Sequence, residues 1–163
     1  MRSFIRTTIA WVLLAFIGEN LIAPLISIAG VAPDFTVIAI VLLAMAEGSR
    51  PGAIGGFCLG LIQDLSIPTL LGLHALCKSL LGYVVGRTRG RLMYGLPLVE
   101  GILLLVASLG HDTLFLLVQS RQRSEVFLGP WLTGALPTAL YTALVGVPLI
   151  RLADLLGVLR KEE

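Results

Sequence analysis

The chain has 163 residues, of which 56% are hydrophobic and only 13% charged, with a formal net charge of +2. Soluble domains carry about 25% charged residues, so a water-facing exterior is excluded and lipid is the expected solvent. The length allows at most about six or seven spans of about 20 residues each, and the small net charge gives no reason to invoke nucleic acid.

Apolar runs bounded by charge, Gly or Pro predict six helices, at roughly 7 to 29, 35 to 47, 51 to 69, 70 to 86, 93 to 118 and 127 to 150. The first opens behind Arg2 and Arg6 and is interrupted by Glu19 and Asn20. With Ala29-Gly30-Val31-Ala32 as small residues for cleavage, the same stretch offers a signal peptide as an alternative. Its removal would leave an odd number of spans. The second and fourth runs are short, so each could be a tilted span, a re-entrant segment or a span with polar ends, and five spans is the rival count. The sixth alone is free of charge, between Glu125 and Arg151, and its Pro137 and Pro148 are tolerable in a lipid-embedded helix.

Charge placement favours six. Arg2, Arg6, Arg50, Arg87, Arg89, Arg91, Arg151, Arg160 and Lys161 then fall on one face, Arg121 and Arg123 on the other, and Lys78 within a span. Lys and Arg concentrate on the cytoplasmic side, so both termini are expected there; five spans would scatter these residues to both faces. The expected fold is all-α: one integral membrane domain over residues 1–163, multi-pass, with six transmembrane helices.

Ionisable residues within a membrane are costly and by default functional candidates. Counted at 1.5 Å per residue from the nearest cytoplasmic arginine, Glu19, Asn20, Gln63, Asp64 and His74 lie about 20 Å up, and His111 with Asp112 about 30 Å. Asp34 joins this outer polar layer from the first external turn. Lys78 and Glu100 share a lower level, about 13 Å up on consecutive spans, and are expected to form an intramembrane ion pair. Such a pair would fix helix order or, alternatively, relay a proton or ion; a further possibility is that one of the two snorkels.

Gly52, Gly56 and Gly60 repeat every four residues in the third span, as Gly82 and Gly86 do in the fourth. These are close-approach faces of the small-xxx-small type, suited to packing within the bundle or to docking another protein's helix. Catalytic signals are weak. His111 and Asp112 are neighbours whose side chains project about 100° apart on a helix, which argues against an ordinary His to carboxylate pair. His74 and Cys77 share a face but do not complete a zinc site. Ser66, Ser79 and Ser108 have no evident base, no phosphate-binding glycine loop is present, and Cys58 and Cys77 make no disulfide framework. No metal or cofactor is expected.

The central block carries a resemblance. Pro33-Asp34 opens the second run and Glu47-Gly48 closes it. Gly52 to Gly56 and Gly60-Leu61-Ile62-Gln63-Asp64 follow in the third, and Gly72-Leu73-His74-Ala75-Leu76 starts the fourth. In order and spacing these resemble the bacterial rod shape-determining protein MreD family, with its "PDF/PDL", "EG", "GFxxGLxxD" and "GxxAL" motifs. Before Pro33 and after Leu92 the chain matches only in character. The resemblance implies a non-enzymatic inner-membrane component of the cell-elongation machinery that builds peptidoglycan. Its implied partners are a bitopic MreC-like protein, the MreB filament, the glycosyltransferase RodA and a class B penicillin-binding transpeptidase. It also implies a bundle similar to the S components of energy-coupling-factor transporters, and makes Asp34, Gly56, Gly60, Gln63, Asp64 and Gly72 a structural and partner-facing core. Gly72 joins the glycines expected to pack helices.

Two functions follow as expectations. In the first, the chain is a scaffold that holds the MreC-like partner through helix faces and the outer polar layer, with Gln63 and Asp64 joining the third and fourth helices or capping a partner segment. In the second it is a vitamin-binding S component, with Glu19, Asn20, His74 and Asp112 as ligand candidates. Ala10 and Ala15 lack the AxxxA spacing with which S components dock their transport partner, which weighs against the second.

Overall fold

The computed structural model describes residues 11–65 apart from residue 14, 71–89, 96–123 and 126–155. Arg2, Arg6, Ser66, Arg91, Glu125, Arg160 and Lys161 lie outside the described residues, as do the first residues of the predicted first, fourth and fifth runs and the end of the third. Among the described residues six helices follow one another: α1 Trp11–Leu25, α2 Phe35–Glu47, α3 Ser49–Asp64, α4 Leu73–Arg87, α5 Pro97–Arg123 and α6 Leu128–Leu155.

The second helix organises the rest. Every residue of α2 from Phe35 to Ala46 is buried, and α2 packs against each of the other five helices. A helix that is apolar all round must be covered all round. At 13 residues it is about 20 Å long, short of the roughly 30 Å hydrocarbon layer, and the longer helices around it do the covering. Leu104 and Ala107 of α5, Ile150 and Ala153 of α6, Val85 of α4 and Ala23 of α1 complete this core.

The outer helices bury one face and expose the other. Leu25, Leu98 and Leu144 are 85%, 74% and 72% exposed, and most of the α5 and α6 surface lies on the outside. Residues Pro97–Arg121 and Leu128–Leu155 are long and apolar enough to cross a membrane. Burying apolar side chains in water-soluble fashion would turn these leucines inward, so their direction matches an apolar solvent.

Helix ends depart from the predicted limits where the local chemistry differs from hydropathy. α2 coincides with the predicted run. α5 begins at Pro97, whose missing N–H costs nothing in a first turn, and continues past 118 through Gln119 and Arg121. α6 continues past 150, so Arg151 sits within a helix instead of behind it. Both α1 and α6 contain a π-helical turn, Gly18–Ile22 and Trp131–Ala135. Each precedes a proline, Pro24 or Pro137, that has no N–H to continue the i→i+4 ladder.

Candidate functional site

A buried helix start creates the polar centre of the molecule. The first amides of a helix have no intrahelical acceptor, and at the covered N-terminus of α2 water is not at hand to supply one. Asp34 is the N-cap, and its Oδ1 accepts from the Val37 N–H at 2.8 Å and from the Thr36 hydroxyl. Glu19 of the α1 π-turn accepts from the Phe35 N–H at 3.0 Å. The Asp34 N–H donates to Thr142 Oγ1 of α6 at 2.9 Å. Side chains from α1 and α6 thus converge on the first turn of α2, and Tyr141 adds a bond to the Ile26 carbonyl at 2.7 Å that ties α6 to the turn behind α1.

Lys78 neutralises this centre. Its side chain is fully buried, with Nζ 3.4 Å from Asp34 Oδ2 and donating to Thr36 Oγ1. The expected Lys78–Glu100 pair is therefore not formed. Glu100 instead meets Arg151 of α6, with 3.2 Å between Oε2 and Nε. Counting residues places Lys78 and Glu100 at one depth, but depth is an axial coordinate. Lys78 points from α4 toward α2, while Glu100 points from α5 toward α6.

Asp64 plays the capping role for α4. Its carboxylate is wholly buried and accepts from the amides of Gly72, His74 and Ala75, each at 3.0 Å. A carboxylate at the end of α3 thereby stabilises the positive end of the next helix. Below it the two helices approach until backbones touch. A Cβ on Gly56 would strike the Lys78 carbonyl, one on Gly60 the backbone of His74 and Ala75, and one on Gly86 that of Ser49. Gly52 and Gly82 face each other, with the Gly82 carbonyl 2.6 Å from where a Gly52 Cβ would stand. Gly72 is not part of this face. Nothing lies within 4 Å of its missing Cβ, and its φ of +94° makes it the left-handed residue that precedes α4.

The histidines form a second group beside the first. His74 stacks on Phe115 with ring centroids 4.1 Å apart, and on His111 at 5.8 Å. His111 Nδ1 lies 2.9 Å from Asp112 Oδ1, so the neighbours do pair, contrary to the 100° argument: Nδ1 sits close to its own backbone and meets a side chain swung back from the next residue. Gln63 is half-buried and lines a cavity of ≈ 70 Å³ together with Glu19, Asn20 and Thr36.

The structure thus gathers Glu19, Asp34 and Lys78 at one point, sets Gln63 and Asn20 beside them, and holds Asp64 at the head of α4. His74 and Asp112 join through His111. Glu100 stands apart with Arg151. Nothing in the sequence singles out Thr36, Thr142 or Phe115, and Arg151 reads there only as the basic end of the sixth run. A threonine within a helix ordinarily bonds its own backbone, and nothing in a charge-free span marks Thr142 as an acceptor for a segment 108 positions away.

A family model described as rod shape-determining protein MreD matches residues 1–156. Comparison with curated proteins and with solved structures gave no match.

Proposed function

We propose that this chain, which belongs to the MreD family of rod shape-determining proteins, is a non-enzymatic scaffold of the cell-elongation machinery in the bacterial inner membrane. It holds an MreC-like bitopic partner and helps position wall synthases within a larger complex with MreB, RodA and a class B penicillin-binding transpeptidase. The family match over residues 1–156 carries this reading. The direction of the side chains supports it. Asp34 and Lys78 are turned inward and paired, and Glu19 is turned onto the Phe35 amide, while leucine, isoleucine and valine dominate the outer faces, so a partner's spanning helix would meet apolar, close-packing surfaces.

In this reading the six helices are six spans of one integral membrane domain, residues 1–163, with both termini cytoplasmic and a bundle like that of an S component. Arg50 begins α3 just behind the Gly48 corner, and the Arg89 guanidinium lies 3.6 Å from where a Gly48 Cβ would be, so the basic ends of α3 and α4 share one side, as cytoplasmic loops require. Asp34, Gln63 and Asp64 act as the internal frame that sets the shape of the partner-binding surface. Asp64→Ala then lowers partner recovery through the α3–α4 hairpin while the protein stays in the membrane; unchanged recovery would remove that role.

The alternative of a vitamin-binding S component finds little support at its polar ligand candidates. The cavity beside Glu19 and Asn20 is ≈ 70 Å³, where small-molecule pockets occupy about 300–1,000 Å³, and His74 and Asp112 do not line it. Affinity purification from native membranes in mild detergent, with mass spectrometry of what co-purifies, tests the choice. A single-span protein with an external coiled coil is the expected companion. Recovery of ATPase subunits or a bound vitamin overturns the scaffold.

A further inference from the structure

A cleft of ≈ 350 Å³ lies between α1 and α6, with α2 as its floor. Ile38, Ala39 and Leu42 of α2 line the bottom, and Ile17 of α1 and Leu152 of α6, both about half exposed, stand at the rim. α1 leans on α2 at Gly18, where a Cβ would strike the Phe35 ring, and the cleft is what it leaves between itself and α6. Among the described residues the wall carries no charge and one hydrogen-bonding side-chain group, the Trp11 indole N–H. Water gains nothing in such a space, and an apolar cavity stays dry while it accepts apolar guests. A soluble cofactor is unsuited as well, because its pocket needs several polar groups to fix its orientation.

We infer that this cleft holds one acyl tail of an anionic phospholipid from the cytoplasmic leaflet. Its dimensions select the tail. Trp11 and Ile22 lie about 16 Å apart along α1 at 1.5 Å per residue, so ≈ 350 Å³ spread over that length leaves a cross-section of about 20 Å². A helix with its side chains is about 10–12 Å across, roughly four times that section or more, and does not enter. A length of about 16 Å is also half of the roughly 30 Å hydrocarbon layer, the depth that one leaflet's tails occupy. The head follows from charge. The cleft ends at Trp11 and Ala153, where both termini of the chain lead off. The ten residues before Trp11 hold Arg2 and Arg6 and no acid, whereas the eight after Leu155 hold Arg160 and Lys161 against Glu162 and Glu163. Arg2 and Arg6 outnumber Asp154 of the last described turn, and basic residues at a cytoplasmic membrane surface attract anionic lipid. This rests on the membrane placement proposed above and not on which partner the protein holds.

The test uses the full chain purified in mild detergent, stripped of lipid, and then given phosphatidylglycerol or phosphatidylcholine with palmitoyl or hexanoyl tails. Native mass spectrometry counts the lipids retained, and a thermal melt reads their effect. Palmitoyl phosphatidylglycerol is retained as a single molecule per chain and raises the Tm. Phosphatidylcholine is held about tenfold less tightly, the worth of one charge-assisted contact, and hexanoyl tails, too short to fill the cleft, give no rise. Ala153→Leu puts a branched side chain into the space and lowers retention about tenfold or more. Leu152→Trp, at the half-exposed rim, does the same should the first variant misfold, while Leu144→Trp on the outer face leaves retention unchanged. Arg2→Gln with Arg6→Gln removes the preference for the anionic head and keeps the dependence on tail length. Equal retention of both heads or of both tail lengths, undiminished retention in both cleft variants, or a co-purifying protein that Leu152→Trp releases overturns the inference. Recovery of the chain from cells without detergent would instead overturn the membrane placement itself.

Discussion

Asp34 does three jobs with one carboxylate and one amide. It caps α2, orients Thr36 and neutralises Lys78, while its N–H reaches Thr142. Removing one partner of a buried pair leaves the other charged and unsolvated, which costs about 3–5 kcal/mol. Asp34→Ala therefore lowers stability by about that amount in a detergent thermal melt, and adding Lys78→Met to it recovers part of the loss. If the double variant shows the two losses simply summed, the residues are not coupled. Asp34 was legible as a polar residue at the start of a run. Its inward direction was not, because a residue placed in an external turn by hydropathy can still fold its side chain under the helix it caps.

At the level of elements, the α3–α4 hairpin is the closest contact in the molecule, and glycine is what permits it. At Gly56 a methyl group must displace the Lys78 backbone, and backbone has no rotamer with which to retreat. Gly56→Ala is expected to cost about 1–3 kcal/mol in the same melt, whereas Gly110→Ala, where a Cβ meets open space, changes stability by less than about 0.5 kcal/mol. Gly72 separates turn from packing. With φ at +94°, Gly72→Ala costs about 1–2 kcal/mol, and Gly72→Asn costs less, since Asn tolerates the left-handed region better than Ala. The four-residue period of Gly52, Gly56 and Gly60 showed that one face of α3 is smooth. That it meets Gly82 and Gly86, and not a partner's helix, followed from the turn that Asp64 holds.

Across the whole molecule, a 13-residue apolar helix is enclosed by longer ones whose leucines point outward. Six spans with cytoplasmic termini put Arg89 and Arg121 on opposite sides, and this can be read directly. In a Cys58→Ser background, Arg121→Cys is expected to react with a membrane-impermeant maleimide added to intact cells, and Arg89→Cys only after permeabilisation. Labelling of both from outside, or of neither, would reject this topology. Cys58 is removed because it is exposed, while Cys77 is buried.

Hydropathy, spacing and charge placement by themselves determined the six helices seen among the described residues, nearly where α2 lies, which face of α3 is smooth, and that Glu19, Asp34, Asp64 and Lys78 need partners away from lipid. These are properties of each helix along and around its own axis, and a burial cost is paid residue by residue. Only the tertiary structure decided that Lys78 meets Asp34 while Glu100 meets Arg151, that Thr142 serves α2, and that Glu19 and Gln63 share a cavity. Those outcomes depend on which neighbour stands opposite each face. That is set by the order of helices around α2, and the order follows from close packing between segments far apart in the chain.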